Sequence, residues 1–108
     1  MINFSDMVLC DISSKKVDVH IRVSGDDEGL HFSGYEIGPV VDDSWGDDDY
    51  EYWYNLDAEN AEKLLELIEG TDDPKAALVR EFSGTDGLRK MTDLCNQNNI
   101  EYSFHSYV

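Results

Sequence analysis

The chain has 108 residues and carries 24 acidic against 8 basic side chains, for a formal net charge of -16. Binding to nucleic acid or to anionic lipid requires Lys and Arg, and these are too few to form a basic surface, so we expect no direct contact with nucleic acid and no membrane binding. The first residues lack the basic and apolar segments of a secretion signal, and no run approaches the roughly 18 apolar residues of a spanning helix. We therefore expect a cytoplasmic protein.

The length fits a single domain, residues 1–108, with one modest hydrophobic core. A hydrophobic content of 41% and an aromatic content of 11% are typical of a folded domain rather than of a disordered acidic chain. Cys10 and Cys95 lie far apart and form no C-x-x-C pair. Two buried free thiols are therefore predicted, and not a disulfide framework.

The first half of the chain has the alternation of apolar and polar residues that is typical of β-strands. We predict four strands, over residues 7–12, 17–23, 30–37 and 50–56. Gly34 suggests a β-bulge in the third strand. A loop over residues 38–49 leads into the fourth, which carries large residues on both faces.

The second half has helical spacing and helix-capping residues. The predicted helices run from Asp57 to Gly70, from Asp73 and Pro74 to about Phe82, and from Thr85, as the N-cap, to Asn98 or Asn99. Alternating residues 100–104 predict a last strand. The order ββββαααβ indicates an α+β, two-layer single domain, with a mostly antiparallel sheet and the helices packed on one face.

The negative charge is confined to one part of the sequence. Residues 26–73 hold 17 of the 24 acids and a single base, Lys63, whereas acids and bases are equal in number outside this segment. Within the predicted first helix, four glutamates lie opposite the apolar side: Glu59, Glu62, Glu66 and Glu69. Crowded carboxylates repel one another, and their confinement to one segment leaves two interpretations open: charge that serves solubility alone, and a binding surface for a strongly basic partner.

No motif indicates a reaction, a cofactor or a metal centre. Neither glycine in an acidic stretch, Gly29 or Gly46, gives the spacing of a calcium-binding EF-hand loop. The histidines and cysteines show no zinc-ligand spacing, and there is no phosphate-binding glycine pattern. We therefore predict no catalytic residue, no cofactor and no metal ligand, with a looser divalent-ion site in residues 42–49 left open.

Three motifs lie close together in the acidic segment: F-S-G-Y-E-I-G at residues 32–38, W-G-D at 45–47 and Y-E-Y-W-Y at 50–54. This combination resembles a functionally uncharacterised group of small acidic bacterial proteins, whose members have a similar F-x-G-x-x-x-G segment, an acidic loop and an E-Y-W-Y strand before a Leu-rich helix. The resemblance covers roughly residues 30–68. It implies no enzymatic activity, and it implies an immunity protein, which protects a bacterium by covering the basic active site of an antibacterial toxin.

The leading hypothesis is a non-catalytic inhibitor of a basic toxin, such as a nuclease. Aromatic anchors beside carboxylates are typical of such an interface. The predicted partner-binding residues are Asp42, Asp43, Trp45, Asp47, Asp48, Asp49, Tyr50, Trp53, Glu59, Glu62 and Glu66. Two alternatives stay open: a phage-type nucleic-acid mimic that blocks a DNA-binding enzyme, and a small metal-binding or housekeeping domain.

Overall fold

The computed structural model of the chain describes residues 4–13, 18–37, 49–68 and 73–107, with the backbone alone at Ile37 and Asp49. These residues form an α+β domain in the predicted order ββββαααβ. The strands are β1 (Phe4–Ser13), β2 (Asp18–Asp26), β3 (Gly29–Ile37), β4 (Asp49–Asp57) and β5 (Ser103–Tyr107); the helices are α1 (Ala58–Ile68), α2 (Pro74–Phe82) and α3 (Gly87–Gln97).

The five strands form one antiparallel sheet in the spatial order β1-β2-β3-β4-β5. The first four strands follow one another as a meander, and the chain then passes through the three helices before β5 pairs with β4. β2 pairs with β3, and β3 with β4, without a register shift. Side chains therefore alternate strictly between two faces of the sheet in these three strands.

The core lies between one face of the sheet and the helices. Phe32 on β3 meets Phe82 of α2 edge to face, with ring centroids 6.2 Å apart, and both side chains are buried. α1 packs on β3 and β4, and α3 packs against α2. The opposite face, which carries Trp53, Tyr35 and the alternating polar residues of β2, points away from these helices.

The bulge predicted at Gly34 is wrong, because the register runs unbroken past this residue on both sides. Gly34 is instead the register partner of Tyr52, whose ring occupies the space above it. The irregularities of the sheet lie in β1, between Phe4 and Met7 and between Val8 and Cys10. The second of these turns Leu9 and Cys10, two consecutive residues, into the core.

Helix capping follows the prediction at two of three helices. The Asp57 carboxylate accepts the Asn60 backbone N–H at 2.9 Å, and Asp73 accepts the N–H groups of Lys75 and Ala76. Thr85 is not the cap of α3: the N-cap position is Asp86, whose side chain makes no capping hydrogen bond. At the other end Asn98 is the C-cap, and Asn99 adopts the left-handed conformation with φ of 56°.

The last strand starts at Ser103, three residues later than predicted. The backbone N–H of Ile100 donates to the Cys95 carbonyl at the end of α3, and that of Glu101 donates to the Asn60 side chain. Both groups are therefore unavailable to a strand ladder. Ile100 itself is buried, so this segment connects the helices to the core before pairing with β4 begins.

Replacing Gly34 with Ala should destabilise the fold, since the added Cβ would lie 2.1 Å from Cζ of Tyr52. Tyr52 is buried among neighbouring rings, so relieving the clash requires local repacking, at a cost of about 1–3 kcal/mol. Urea unfolding measures the change. In a Tyr52→Leu background the additional cost of Gly34→Ala should fall close to zero; an equal cost in both backgrounds contradicts this explanation.

Candidate functional site

The predicted partner-binding residues are divided by the boundary of the described structure. Asp42, Asp43, Trp45, Asp47 and Asp48 lie outside the described residues, and Asp49 is described only as the first backbone position of β4. The remaining five are Tyr50, Trp53, Glu59, Glu62 and Glu66.

The two aromatic members of this set lie on opposite faces of the sheet. Tyr50 is on the core side of β4, where its ring is 5.3 Å from that of Tyr52. Trp53 is at an odd position of the same strand, between its register partners Ser33 and His105, on the face that points away from the helices. One flat surface therefore does not contact both rings.

The three glutamates, by contrast, lie together. Glu59, Glu62 and Glu66 are all exposed on α1, while Ala61, Leu64, Leu65 and Ile68 are buried on its other side. Lys63 is the single base of the helix. α1 therefore presents a row of carboxylates about 10 Å long, given a rise of about 1.5 Å per residue.

This row continues onto the end of the sheet. The β2–β3 turn carries Asp26, Asp27 and Glu28, all exposed. Gly29, the next residue, pairs with Asp57 at the end of β4, so the turn lies beside the start of α1. We call the following seven residues the carboxylate surface: Asp26, Asp27, Glu28, Asp57, Glu59, Glu62 and Glu66.

A cavity of about 420 Å³ opens within this end of the molecule. Its polar lining comes from the turn, from the outer positions of β3 and β4, from α1 and from the segment before β5; the polar lining residues include Glu28, His31, Asn55, Asp57, Asn60 and Glu101. Three of these are carboxylates. The cavity is therefore suited to a cationic or hydrogen-bond-donating group.

Asn60 fixes the wall of this cavity. It is a buried polar residue of α1, and its side-chain amide donates to Asp57 while its carbonyl oxygen accepts the Glu101 N–H at 3.0 Å. The backbone hydrogen bond from Asn60, followed by the side-chain one, lowers the pKa of Asp57. Asp57 is therefore held as a carboxylate facing the same end of the sheet as the turn.

His31 lies between two oxygen acceptors at the edge of the cavity. Its Nδ1 is 2.8 Å from Oδ1 of Asn55, and its Nε2 is 3.0 Å from Oδ1 of Asp26. Partial burial alone would lower the pKa of His31, but the hydrogen bonds to Asn55 and Asp26 outweigh it and the pKa is raised. The hydrogen bond from His31 correspondingly lowers the pKa of Asp26.

A second cavity of about 340 Å³ lies between β4 and α3. Tyr50, Tyr52, Tyr54 and Phe104 line one side of it, and Arg89 of α3 lies on the other. Burial, and then a hydrogen bond to Glu36, raise the pKa of Tyr52. The Tyr52 hydroxyl is thus a hydrogen-bond donor to Glu36 and not a proton acceptor.

The two cysteines do not form a nucleophilic site. Both are free and buried, as the sequence predicts. Burial raises the pKa of the Cys95 thiol to about 11 and also raises that of Cys10. Both therefore stay protonated near neutral pH, and a protonated thiol is a poor nucleophile and metal ligand.

The predicted site residues do not include the group of Asp26, Glu28 and His31. Its spacing, D-x-E-x-x-H over residues 26–31, is present in the sequence. The signal would have been the turn itself. A tight β2–β3 turn at Asp27 and Glu28 returns the chain on itself, which brings a residue two places into β3 back to the end of β2.

Neutralising Glu66 should stabilise the protein, because Glu66 lies four residues after Glu62 and near the negative end of the α1 dipole. We expect Glu66→Gln to raise the free energy of unfolding by about 0.5 kcal/mol at low salt. Glu59→Gln is the matched control: Glu59 is in the first turn, four residues before Lys63, so its neutralisation should lower stability by a similar amount. Urea unfolding at low and high salt tests both, and a gain from both variants contradicts the dipole argument.

The His31–Asp26 pair should make stability depend on pH in a defined direction. Because the pKa of His31 is raised, the contribution of this residue to the free energy of unfolding is complete below about pH 6.5 and is lost as the pH rises through the raised value. The lowered pKa of Asp26 means that its contribution is lost only as the pH falls below about 4.

The stability difference between wild type and His31→Gln should therefore be larger at pH 5.5 than at pH 8.5. Urea unfolding at both values measures it. A difference that grows with pH contradicts the assignment of His31 as a protonated donor to Asp26.

Comparison with protein-family models, with curated proteins and with solved structures finds no match for this chain. Among the described residues, no helix is long and apolar enough to cross a membrane. The function is therefore argued from the geometry and the charge of this site.

Proposed function

We propose that the protein is a non-catalytic acidic binding protein of the immunity type, which inhibits a basic toxin by covering its cationic active site. The observation that carries this proposal is the carboxylate surface. Its seven acids are all exposed, and Lys63 is the only base in the described parts of the segment 26–68. The resemblance of residues 30–68 to small acidic bacterial proteins supports the same class of function.

A rigid support favours binding over mere solubility. The turn, the β4–α1 junction and the helix are joined by the β3–β4 pairing and by the Asn60 hydrogen bonds, so the backbone positions that carry the carboxylates are fixed relative to one another. Preorganised charge of one sign accelerates encounter with an oppositely charged partner and sets its orientation. It also avoids the entropy cost of ordering the backbone of this surface on binding.

We assign the interface to the exposed carboxylates of the described residues. Glu59, Glu62 and Glu66 stay at its centre, and Asp26, Asp27, Glu28 and Asp57 extend it across the end of the sheet. Tyr50 and Trp53, on opposite faces, serve one interface only if the basic partner wraps around the β4–β5 side of the sheet. We therefore place the main contact on α1 and the adjoining turn.

The alternative of a nucleic-acid mimic is less well matched by the spacing. Glu59, Glu62 and Glu66 place about one charge per 5 Å along α1. A single strand of duplex DNA carries one phosphate per 3.4 Å of axis. We therefore rank the nucleic-acid mimic below the immunity function.

The proposal is tested with a triple variant, Glu59→Gln, Glu62→Gln and Glu66→Gln. Its matched control is Asp6→Asn, Asp86→Asn and Asp93→Asn, which removes three exposed charges outside the carboxylate surface. The native protein is used to capture its partner from the source organism, and association rates are then measured against salt concentration. The helix variant should associate at least tenfold more slowly at low salt and show a weaker salt dependence, while the control should behave as wild type.

The captured protein must also arrest growth when expressed alone and lose its toxicity when co-expressed with this chain. A salt-insensitive association rate, or equal slowing in both triple variants, contradicts the placement of the interface. A captured protein without toxicity contradicts the immunity function.

A further inference from the structure

The β2–β3 turn brings three potential metal-ligand side chains together. Asp26, Glu28 and His31 each offer one ligand atom, and these atoms all lie within 4.8 Å of one another. Asp26 ends β2, Glu28 is in the turn and His31 is the third residue of β3. A single ion at the centre of such a group is within reach of two carboxylate oxygens and one imidazole nitrogen.

A residue outside this group orients the imidazole. Asn55, on β4, is the register partner of His31, and its Oδ1 accepts the Nδ1–H of the ring at 2.8 Å. This hydrogen bond fixes the proton on Nδ1 and directs Nε2 toward Asp26. Metal-binding histidines are characteristically held in this way, with the second ring nitrogen donating to a carbonyl or carboxylate oxygen.

We propose that Asp26, Glu28 and His31 form a binding site for a first-row divalent transition-metal ion, with Zn²⁺ as the representative. Imidazole nitrogen with carboxylate oxygen suits Zn²⁺ and Mn²⁺, whereas Ca²⁺ prefers oxygen ligands alone. Three protein ligands leave a coordination position open. Glu28 and His31 both line the cavity of about 420 Å³, which has room beside the site for water or another ligand group.

The charges around the site favour a cation. Asp57 of β4 and Glu101, before β5, line the same cavity, and Asp27 lies in the turn between two of the ligands. When the ion binds, the Nε2 lone pair of His31 forms the bond to the metal, and the proton that Nε2 carries in the imidazolium form is released to water. Affinity should therefore rise with pH through the titration range of His31.

This site goes beyond the proposed function and does not depend on it, since no partner protein takes part in its test. The chain also provides a matched control. His20 lies on the same face of the sheet and its Nδ1 is 2.6 Å from Oδ1 of Asp11. This second His–Asp pair, among the described residues, belongs to no group of three ligands.

The experiment is calorimetric titration of the full chain with Zn²⁺, after treatment with a chelator, at pH 6.0 and pH 7.5. We expect one ion per chain and tighter binding at pH 7.5. His31→Gln should weaken Zn²⁺ binding by at least tenfold, and Asn55→Ala, which leaves the three ligands in place but frees the ring, by about tenfold. His20→Gln should bind as wild type does.

A second readout separates loss of the site from loss of the fold. The NMR resonances of the His31 ring should shift on addition of Zn²⁺ while those of His20 do not, and the unfolding curve of each variant checks that it is folded. No binding up to millimolar Zn²⁺ overturns the proposal. An unchanged Zn²⁺ affinity in folded His31→Gln also overturns it, because the ion would then be bound by acids elsewhere. An equal loss of Zn²⁺ affinity in His20→Gln overturns it as well.

Discussion

The unbroken register between β3 and β4 is the constraint on which the rest of the structure depends. Nine residues of each strand pair without a shift, from Gly29 opposite Asp57 to Ile37 opposite Asp49. The same register sets Gly34 under the ring of Tyr52 and His31 beside Asn55. A slip of one residue would exchange the two faces of a strand, exposing core residues and separating each of these pairs.

Gly34 and Tyr52 protect this register. The Tyr52 ring fills the space that a side chain at position 34 would otherwise occupy. At any other alignment of β3 and β4 this fit is lost, because the neighbouring core-facing positions of β3 are occupied by Phe32 and Glu36. The aromatic row of Tyr52, Tyr54 and Phe104 runs from a buried to an exposed position and extends the packing to β5, with the ring centroids of Tyr54 and Phe104 4.8 Å apart. Packing and strand pairing thus specify the same alignment.

Helix α1 carries the repulsion of its own glutamates because its other side is well buried. A buried Leu or Ile side chain contributes roughly 1.5–3 kcal/mol, and Leu64, Leu65 and Ile68 are all buried. A repulsive pair at i,i+4 costs only about 0.2–0.5 kcal/mol. The stabilisation from the buried apolar side chains therefore exceeds the electrostatic cost several-fold. A helix with fewer buried apolar residues would not tolerate the same row of glutamates.

The sequence predicts the features that depend on local pattern. A short apolar run at residues 7–12 and alternation after it identify the first four strands, and the apolar spacing of α1 places Glu59, Glu62 and Glu66 together on its exposed side. What it misses depends on distant partners. Gly34 looks like a bulge until Tyr52 is set opposite it, and the segment before β5 looks like a strand until the Glu101 N–H is seen to bond Asn60, 41 residues earlier. The group of Asp26, Glu28 and His31 differs, because its spacing is local and only the residue that orients the imidazole, Asn55, is distant in sequence. Trp53 and Tyr50 are three residues apart on β4, and the alternation of a strand places residues with this spacing on opposite faces. A joint anchoring role for the two rings on one flat surface therefore conflicts with the strand predicted for them.

The two proposed uses of this end of the molecule differ in scale and follow from the same excess of negative charge. The glutamates of α1 are spread over about 10 Å of helix, a distance that matches several basic side chains on a protein surface and no single ion. The ligand atoms of Asp26, Glu28 and His31 lie within 4.8 Å of one another, a spacing that matches one ion. The difference lies in the supporting backbone: a helix separates successive exposed positions by a turn, whereas a tight hairpin returns the chain on itself. Neighbouring acids in one sequence segment therefore form an extended surface on α1 and a convergent site at the β2–β3 turn.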